Sequence, residues 1–179
     1  MPDVFLGAGK ATGMFFTAPR GTALPSYPGE ALGADWKQVG DVGEDGLSLK
    51  LPSGDVIRNW AMVAKRRVNT ENGVITVPIL DTTKKTMEAV FGEDNVDYLA
   101  ATAQHGNVTS VEFGVDVTAD PAAYLFLMKD GDTLAYVGSS DALITEVSDL
   151  VFKAGEPTMW NAQIDGTWKF MFDDGDVTS

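Results

Sequence analysis

Residues 122–138 read Ala-Ala-Tyr-Leu-Phe-Leu-Met-Lys-Asp-Gly-Asp-Thr-Leu-Ala-Tyr-Val-Gly. Successive side chains of a strand point to opposite faces. In 122–129 the odd and the even positions are both apolar, Lys129 excepted, so this strand is predicted to be central and covered on both sides. Asp130-Gly131-Asp132 supplies the chemistry of a tight turn, and 133–138 resumes the strand pattern, which makes the stretch a β-hairpin.

The segments around this hairpin carry the same signal. Downstream, 142–152 mixes Leu143, Ile144, Val147, Leu150, Val151 and Phe152 with Glu146 and Asp149, and is read as strand in preference to helix. Segments 157–164 and 167–172 close the fold, with Trp160 and Trp168 as core or interface anchors. Upstream, in 108–116, Thr109, Val111, Phe113 and Val115 alternate with Val108, Ser110, Glu112, Gly114 and Asp116. That gives one apolar face and one largely polar, acidic face. Residues 46–51 alternate around Leu47, Leu49 and Leu51. Segments 62–69 and 74–80 are β-rich and are predicted to form a second hairpin, because Asn72-Gly73 offers the positive-φ pair such a turn uses.

One helix is expected, over 83–91. Thr82 or Thr83 can cap it, Met87 and Phe91 share a face, and Gly92 stops it. The predicted architecture is mainly β: a sandwich or partly closed barrel with one flanking short helix. Two parts are expected, an irregular N-terminal arm over 1–35 and a β-sandwich domain over 36–179. The arm is rich in Gly and Pro, yet it carries Phe5, Leu6, Met14, Phe15, Phe16, Leu24 and Tyr27. A disordered linker has no need of so many large apolar groups. The arm therefore lies on something, either its own domain or a neighbouring subunit.

Composition removes most catalytic readings. The 179 residues include no cysteine and one histidine, His105, which excludes thiolate metal sites, cysteine nucleophiles and an all-histidine metal centre within one chain. His105 reads as a loop residue. Residues 1–10 lack the basic start and apolar core of a signal peptide, and no apolar run approaches a membrane span, so a soluble, intracellularly made protein is expected. Gly7-Ala8-Gly9-Lys10-Ala11-Thr12 misses the phosphate-loop pattern, with Val4 and Ala11 at two required positions. Asp130-Gly131-Asp132 and Asp173-Asp174-Gly175-Asp176 lack the ligand order of a calcium loop. With 26 acidic residues, some carboxylate pair will fall at a glycosidase spacing by chance. No cofactor and no enzymatic activity are expected.

Charge is distributed unevenly. Residues 1–90 hold 10 acids and 10 bases, whereas 91–179 hold 16 acids and 3 bases, so the net charge of −13 lies in the second half. Such a field repels polyanions. The only basic cluster, Lys65-Arg66-Arg67, falls on a predicted strand and divides between its two faces.

From Trp36 to Leu47 the chain reads Trp-Lys-Gln-Val-Gly-Asp-Val-Gly-Glu-Asp-Gly-Leu. This stretch resembles the bacteriophage tail tube (major tail) proteins, in which a tryptophan, a V-G-x-V strand and an acidic-Gly turn follow an irregular arm. The likeness continues through the loop bearing Trp60, the 62–80 segment, a helix ending in Phe-Gly-Glu-Asp-Asn-Val, the Asp130-Gly131 hairpin and the strand holding Trp160. It covers roughly residues 5–170 in order and spacing. The resemblance implies a virion tail protein, made in the bacterial host cytoplasm, whose copies form hexameric rings. Inner sheets of six copies would close a β-barrel, and the rings would stack into a tube. It implies as partners further copies of the chain, the tape measure protein, the tail terminator and tail tip proteins, with DNA in transit and not specifically bound. Glu112 and Asp116 are then the first lumen candidates and Glu146 and Asp149 the next. Phe5, Leu6, Phe15, Phe16 and Trp60 are the inter-ring contact candidates. The competing reading is a non-polymerising β-sandwich, a virion decoration or ligand-binding module, which would display an exposed aromatic platform such as Trp60 or Trp168.

Overall fold

In chain order the strands are β1 (Met14–Pro19), β2 (Lys37–Asp41), β3 (Ser48–Lys50), β4 (Val56–Arg58), β5 (Ala64–Arg66), β6 (Gly73–Ile79), β7 (Val96–Leu99), β8 (Val108–Val111), β9 (Ala122–Asp130), β10 (Thr133–Val147), β11 (Trp160–Gly166) and β12 (Lys169–Asp173). A helix, α1 (Lys84–Phe91), and a short 3₁₀ turn (Glu93–Asn95) separate β6 from β7. The computed structural model describes residues 14–42, 46–50, 56–58, 64–66, 72–80, 83–112, 120–130, 133–147 and 160–173.

Eight strands form one bent antiparallel sheet in the order β2-β1-β9-β10-β11-β6-β3, with β12 also on β10. The bend lies in β10, whose 15 residues serve two layers. Residues 133–138 pair with β9 on one side and with β12 on the other; residues 142–147 pair with β11. Between them the register slips at Ser139/Ala142, and the Ser139 hydroxyl ties the slip by bonding the Asp141 carbonyl at 3.0 Å and accepting from its N–H at 3.3 Å. Two close approaches fix the bend: a Cβ on Gly166 would lie 2.6 Å from Ala142 Cβ, and one on Gly138 would lie 2.8 Å from Leu24 Cδ2. A strand that switches layers through a bulge is how sandwich corners are made.

Layer 1 is thus β2-β1-β9-β10-β12 and layer 2 is β10-β11-β6-β3. Between them lies the main core. Phe15, Val39, Tyr124, Phe126 and Val137 come from layer 1; Ile75, Val77, Ile79, Ile144, Trp160 and Ile164 come from layer 2. At the far corner a bridge between Val42 and Ile79, with the Leu80 N–H donating to the Asp41 carbonyl at 3.2 Å, draws β2 toward β6. The sheet is not closed into a barrel.

The hairpin read first from the sequence is β9–β10, and β9 is central, with side chains in two cores. Tyr124 and Phe126 enter the sandwich, while Ala123 and Leu125 enter a second cluster with Ala18, Trp36 and Tyr136. Residues 20–36 cover that second cluster as a strap, contributing Leu24, Leu32 and Trp36. The Tyr136 hydroxyl donates to the Pro25 carbonyl at 2.6 Å and lies 2.9 Å from Met171 Sδ, joining strap, β10 and β12. Within the strap, the Ser26 N–H bonds the Glu30 carboxylate, and Gly29, at φ +87°, seats the turn against Leu134.

Three expectations change. Residues 14–19, read as part of an irregular arm, form β1 between β2 and β9. Residues 62–80 are not a hairpin among the described residues: β5 pairs with β4, and β6 runs between β11 and β3. Gly73 has no positive φ; it opens β6 under Trp168, whose Cδ1 would lie 3.1 Å from an added Cβ. Residues 142–147 continue β10, so no separate strand begins there. The helix forms as read, with Thr83 accepting from the Thr86 N–H and Gly92 at φ +86° ending it.

Candidate assembly interfaces

The outer face of layer 2 carries a polar row. Register places Ser48 of β3, Thr76 of β6, Gln163 of β11 and Glu146 of β10 in one row across four strands. All four point away from the core, because their neighbours Leu49, Ile75, Val77, Ala162 and Ile164 point into it. Gln163 Nε2 donates to Glu146 Oε2 at 2.8 Å. Beside this row stand Lys50, exposed, and Asp165, partly buried. The outer face of layer 1 is covered at β9 and β10 by the strap.

The second kind of surface is apolar. β12 is bonded to β10 along one edge only among the described strands, and its Phe170 and Phe172 stack at 6.1 Å while staying more than half exposed. They stand on the core side of layer 1, opposite Val137 and Ala135, beyond the shelter of layer 2. β7 and β8 form a two-stranded ribbon of their own. Its inner face, Val96 and Val111, packs on the main core; its outer face carries Asp97, Leu99, Val108, Ser110 and Glu112. Lys84 Nζ of α1 sits 5.0 Å from the Tyr98 ring centroid, and Thr86 Oγ1 donates to the Val39 carbonyl at 2.9 Å, so α1 links the ribbon to β2.

Electrostatics here are simple. From 86 to 128 there is no Lys or Arg against seven acids, Glu88, Glu93, Asp94, Asp97, Glu112, Asp116 and Asp120. Arg20 bonds Asp141 at 2.7 Å, which raises the guanidinium pKa and pins the start of the strap beside the bend. Burial pushes the Tyr124 phenol up to about 12.

The residues singled out from sequence scatter. Glu112 is exposed at the end of β8 and Glu146 is exposed on β10, on separate sheets. Phe15 is fully buried, stacked on Phe126 at 4.9 Å, so it belongs to the core and offers nothing to a neighbour; Phe16 is partly buried against the second cluster. Asp116, Asp149, Phe5, Leu6 and Trp60 lie outside the described residues. Trp168 is no platform, because its Nε1 donates to the Gly73 carbonyl at 2.9 Å and its ring meets Phe126. The sequence reading missed Phe170 and Phe172, whose i,i+2 spacing on a closing strand was the available signal. It also missed the polar row, which exists only through long-range register.

These features define a class: a structural β-sandwich whose apolar strand edges are unpaired among the described residues and whose second layer carries a solvated polar row, suited to joining other subunits. The sequence matches the family of phage tail tube proteins over residues 8–150, most of the chain, and the chain belongs to that family. The family is a structural one of the virion tail, and its members assemble with themselves and with other tail proteins. No curated protein matches the chain.

Proposed function

We propose that this chain forms hexameric rings that stack into the tail tube and that the tube conducts DNA during ejection. The observation that carries the reading is the difference between the two outer sheet faces. A tube wall needs one surface that stays hydrated while polyanion moves past it, and the Ser48–Thr76–Gln163–Glu146 row supplies such a surface on layer 2. The net charge of −13 supports it, because an acidic wall repels phosphates and leaves DNA free to slide. Of the four lumen candidates, Glu146 fits the wall best. Tape measure, terminator and tip proteins are the partners this role requires.

The test is negative-stain electron microscopy of the purified chain over a concentration series, repeated with tail-tip seeds. Stacked rings with a stained channel are expected. Discrete monomers under every condition, seeded ones included, would overturn the proposal.

A further inference from the structure

Layer 2 ends in two strand edges that are unpaired among the described residues. One is β3, which is bonded to β6 on one side. The other is the second half of β10. Pairing with β9 stops at Ala142↔Ala122, and from Leu143 to Val147 the strand is bonded to β11 alone among those residues. An unpaired edge presents a row of N–H and C=O groups, a template for a further strand.

The two edges match in direction. β10, β11, β6 and β3 are antiparallel in succession, so β10 and β3 run opposite ways. A second copy brought alongside in the same orientation sets its β10 against the first copy's β3 as an antiparallel pair. The contact is head-to-tail, each copy offering one edge to each neighbour.

The edges also match in phase. On β3, Leu49 turns to the core while Ser48 and Lys50 turn outward. On β10, Ile144 and Val147 turn to the core and Leu143 and Glu146 turn outward, with the bulge between Ile144 and Glu146 taking up Thr145. A register keeps both faces intact if Leu49 lies opposite an inward residue. The stretch 143–147 allows two. With Leu49 opposite Ile144, Lys50 would stand against the apolar Leu143. With Leu49 opposite Val147, two partly buried apolar side chains meet on the core side, and Lys50 meets Glu146 on the outer face, where both are exposed. Opposite charges and matched apolar groups directly across a strand pair are favourable, so charge decides for the second register. The shortness of β3, its lysine and the bulge in β10 are devices by which edges resist indiscriminate pairing. They leave the register in which the lysine meets an acid.

We propose that β3 of one copy pairs antiparallel with the end of β10 in a second copy, Leu49 opposite Val147 and Lys50 opposite Glu146, as the lateral contact of the ring. The inference rests on the tube reading and names the edges that reading leaves open. An exposed ion pair adds little affinity. Here it selects the register, while backbone bonds and the Leu49–Val147 contact hold the copies together.

The test is cysteine crosslinking of the full-length chain, which has no native cysteine. Within one copy Lys50 and Glu146 lie three strand intervals apart, about 14 Å, beyond the Cα separation of about 7 Å that a disulfide can bridge. Any bond between them therefore joins two copies. Lys50→Cys/Glu146→Cys, oxidised at assembling concentration, should give a ladder of covalent oligomers ending at the closed ring. Ser48→Cys/Glu146→Cys, which reports the rival register, should stay largely monomeric. All three positions are exposed, and circular dichroism checks that each variant is folded. A ladder from the Ser48 pair in place of the Lys50 pair would overturn the register. Rings or tubes in stained images with neither pair crosslinked would overturn the contact and leave the tube reading standing. A Lys50–Glu146 ladder that forms no ring or tube would support the contact and overturn the tube reading. Neither ladder nor assembly, with tail-tip seeds included, would overturn both.

Discussion

Layer 1 and layer 2 are halves of one sheet, yet they treat water in opposite ways. At β9 layer 1 is buried on both faces, by the sandwich core and by the strap over 20–36; layer 2 is buried on its core face and leaves a polar row of its outer face exposed. The chain commits its most apolar strand, β9, to the layer that has two covers, and its alternating strands, β6 and β11, to the layer that has one. The strap therefore does structural work inside its own subunit. It leaves the outer face of layer 2 as the one free to be polar, as the proposed conduit requires.

The largest expected effect comes from truncating one side chain in each outer face. Leu125 is fully buried under the strap, and Thr76 is exposed in the polar row. Leu125→Ala removes buried methyl groups and leaves a cavity, at a cost of about 2–5 kcal/mol. Thr76→Ala should stay within about 0.5 kcal/mol of wild type. Urea denaturation of both variants checks this. Equal effects would mean that the strap does not seal layer 1, and the contrast between the layers would collapse.

A second effect, of about 2–3 kcal/mol at most, concerns the core side of layer 1. The unfolded chain releases a tyrosine proton near pH 10, while the buried Tyr124 holds its proton to about 12. Below pH 10 both states are protonated and the stability is fully present. As pH rises from 10 to 12 the unfolded state alone ionises, and stability falls. Tyr124→Phe should flatten that part of the stability–pH curve. An unchanged slope in the variant would place the loss elsewhere and would weaken the view that the layer 1 core excludes water at Tyr124.

These two layers were not equally legible in the sequence. β9 announced its double burial because both parities were apolar, and Thr83 and Gly92 announced α1 because caps are local. The bend in β10 was hidden: Gly138-Ser139-Ser140-Asp141 has turn composition, and only pairing with β9 and β11 shows that the strand runs through it. Asn72-Gly73 misled in the opposite direction, offering turn chemistry where Gly73 serves close approach to Trp168. The strap gave its apolar residues but not its address, since Leu24 and Trp36 could as well have served a neighbour. Glu146 was visible as an acid on a strand. Its row was not, because Ser48, Thr76 and Gln163 come from three other strands up to about a hundred residues away and are aligned only by register.

The smallest effect on stability carries the most functional weight. Glu146→Lys breaks the hydrogen bond from Gln163, but both groups are solvated, so the folded subunit should change by less than about 0.5 kcal/mol. In a hexameric ring the same substitution alters the charge by about two per copy, or about twelve per ring, and stacking repeats that change along the tube. If layer 2 faces the lumen, variant tubes should retain DNA that wild-type tubes release, and particles carrying them should eject more slowly at low salt than at high salt. Screening would restore the rate, because salt weakens phosphate contacts steeply. If layer 2 instead faces outward, ejection will be unaffected while DNA decorates the outside of variant tubes in stained images. The two layers would then keep their different covers but exchange their proposed roles.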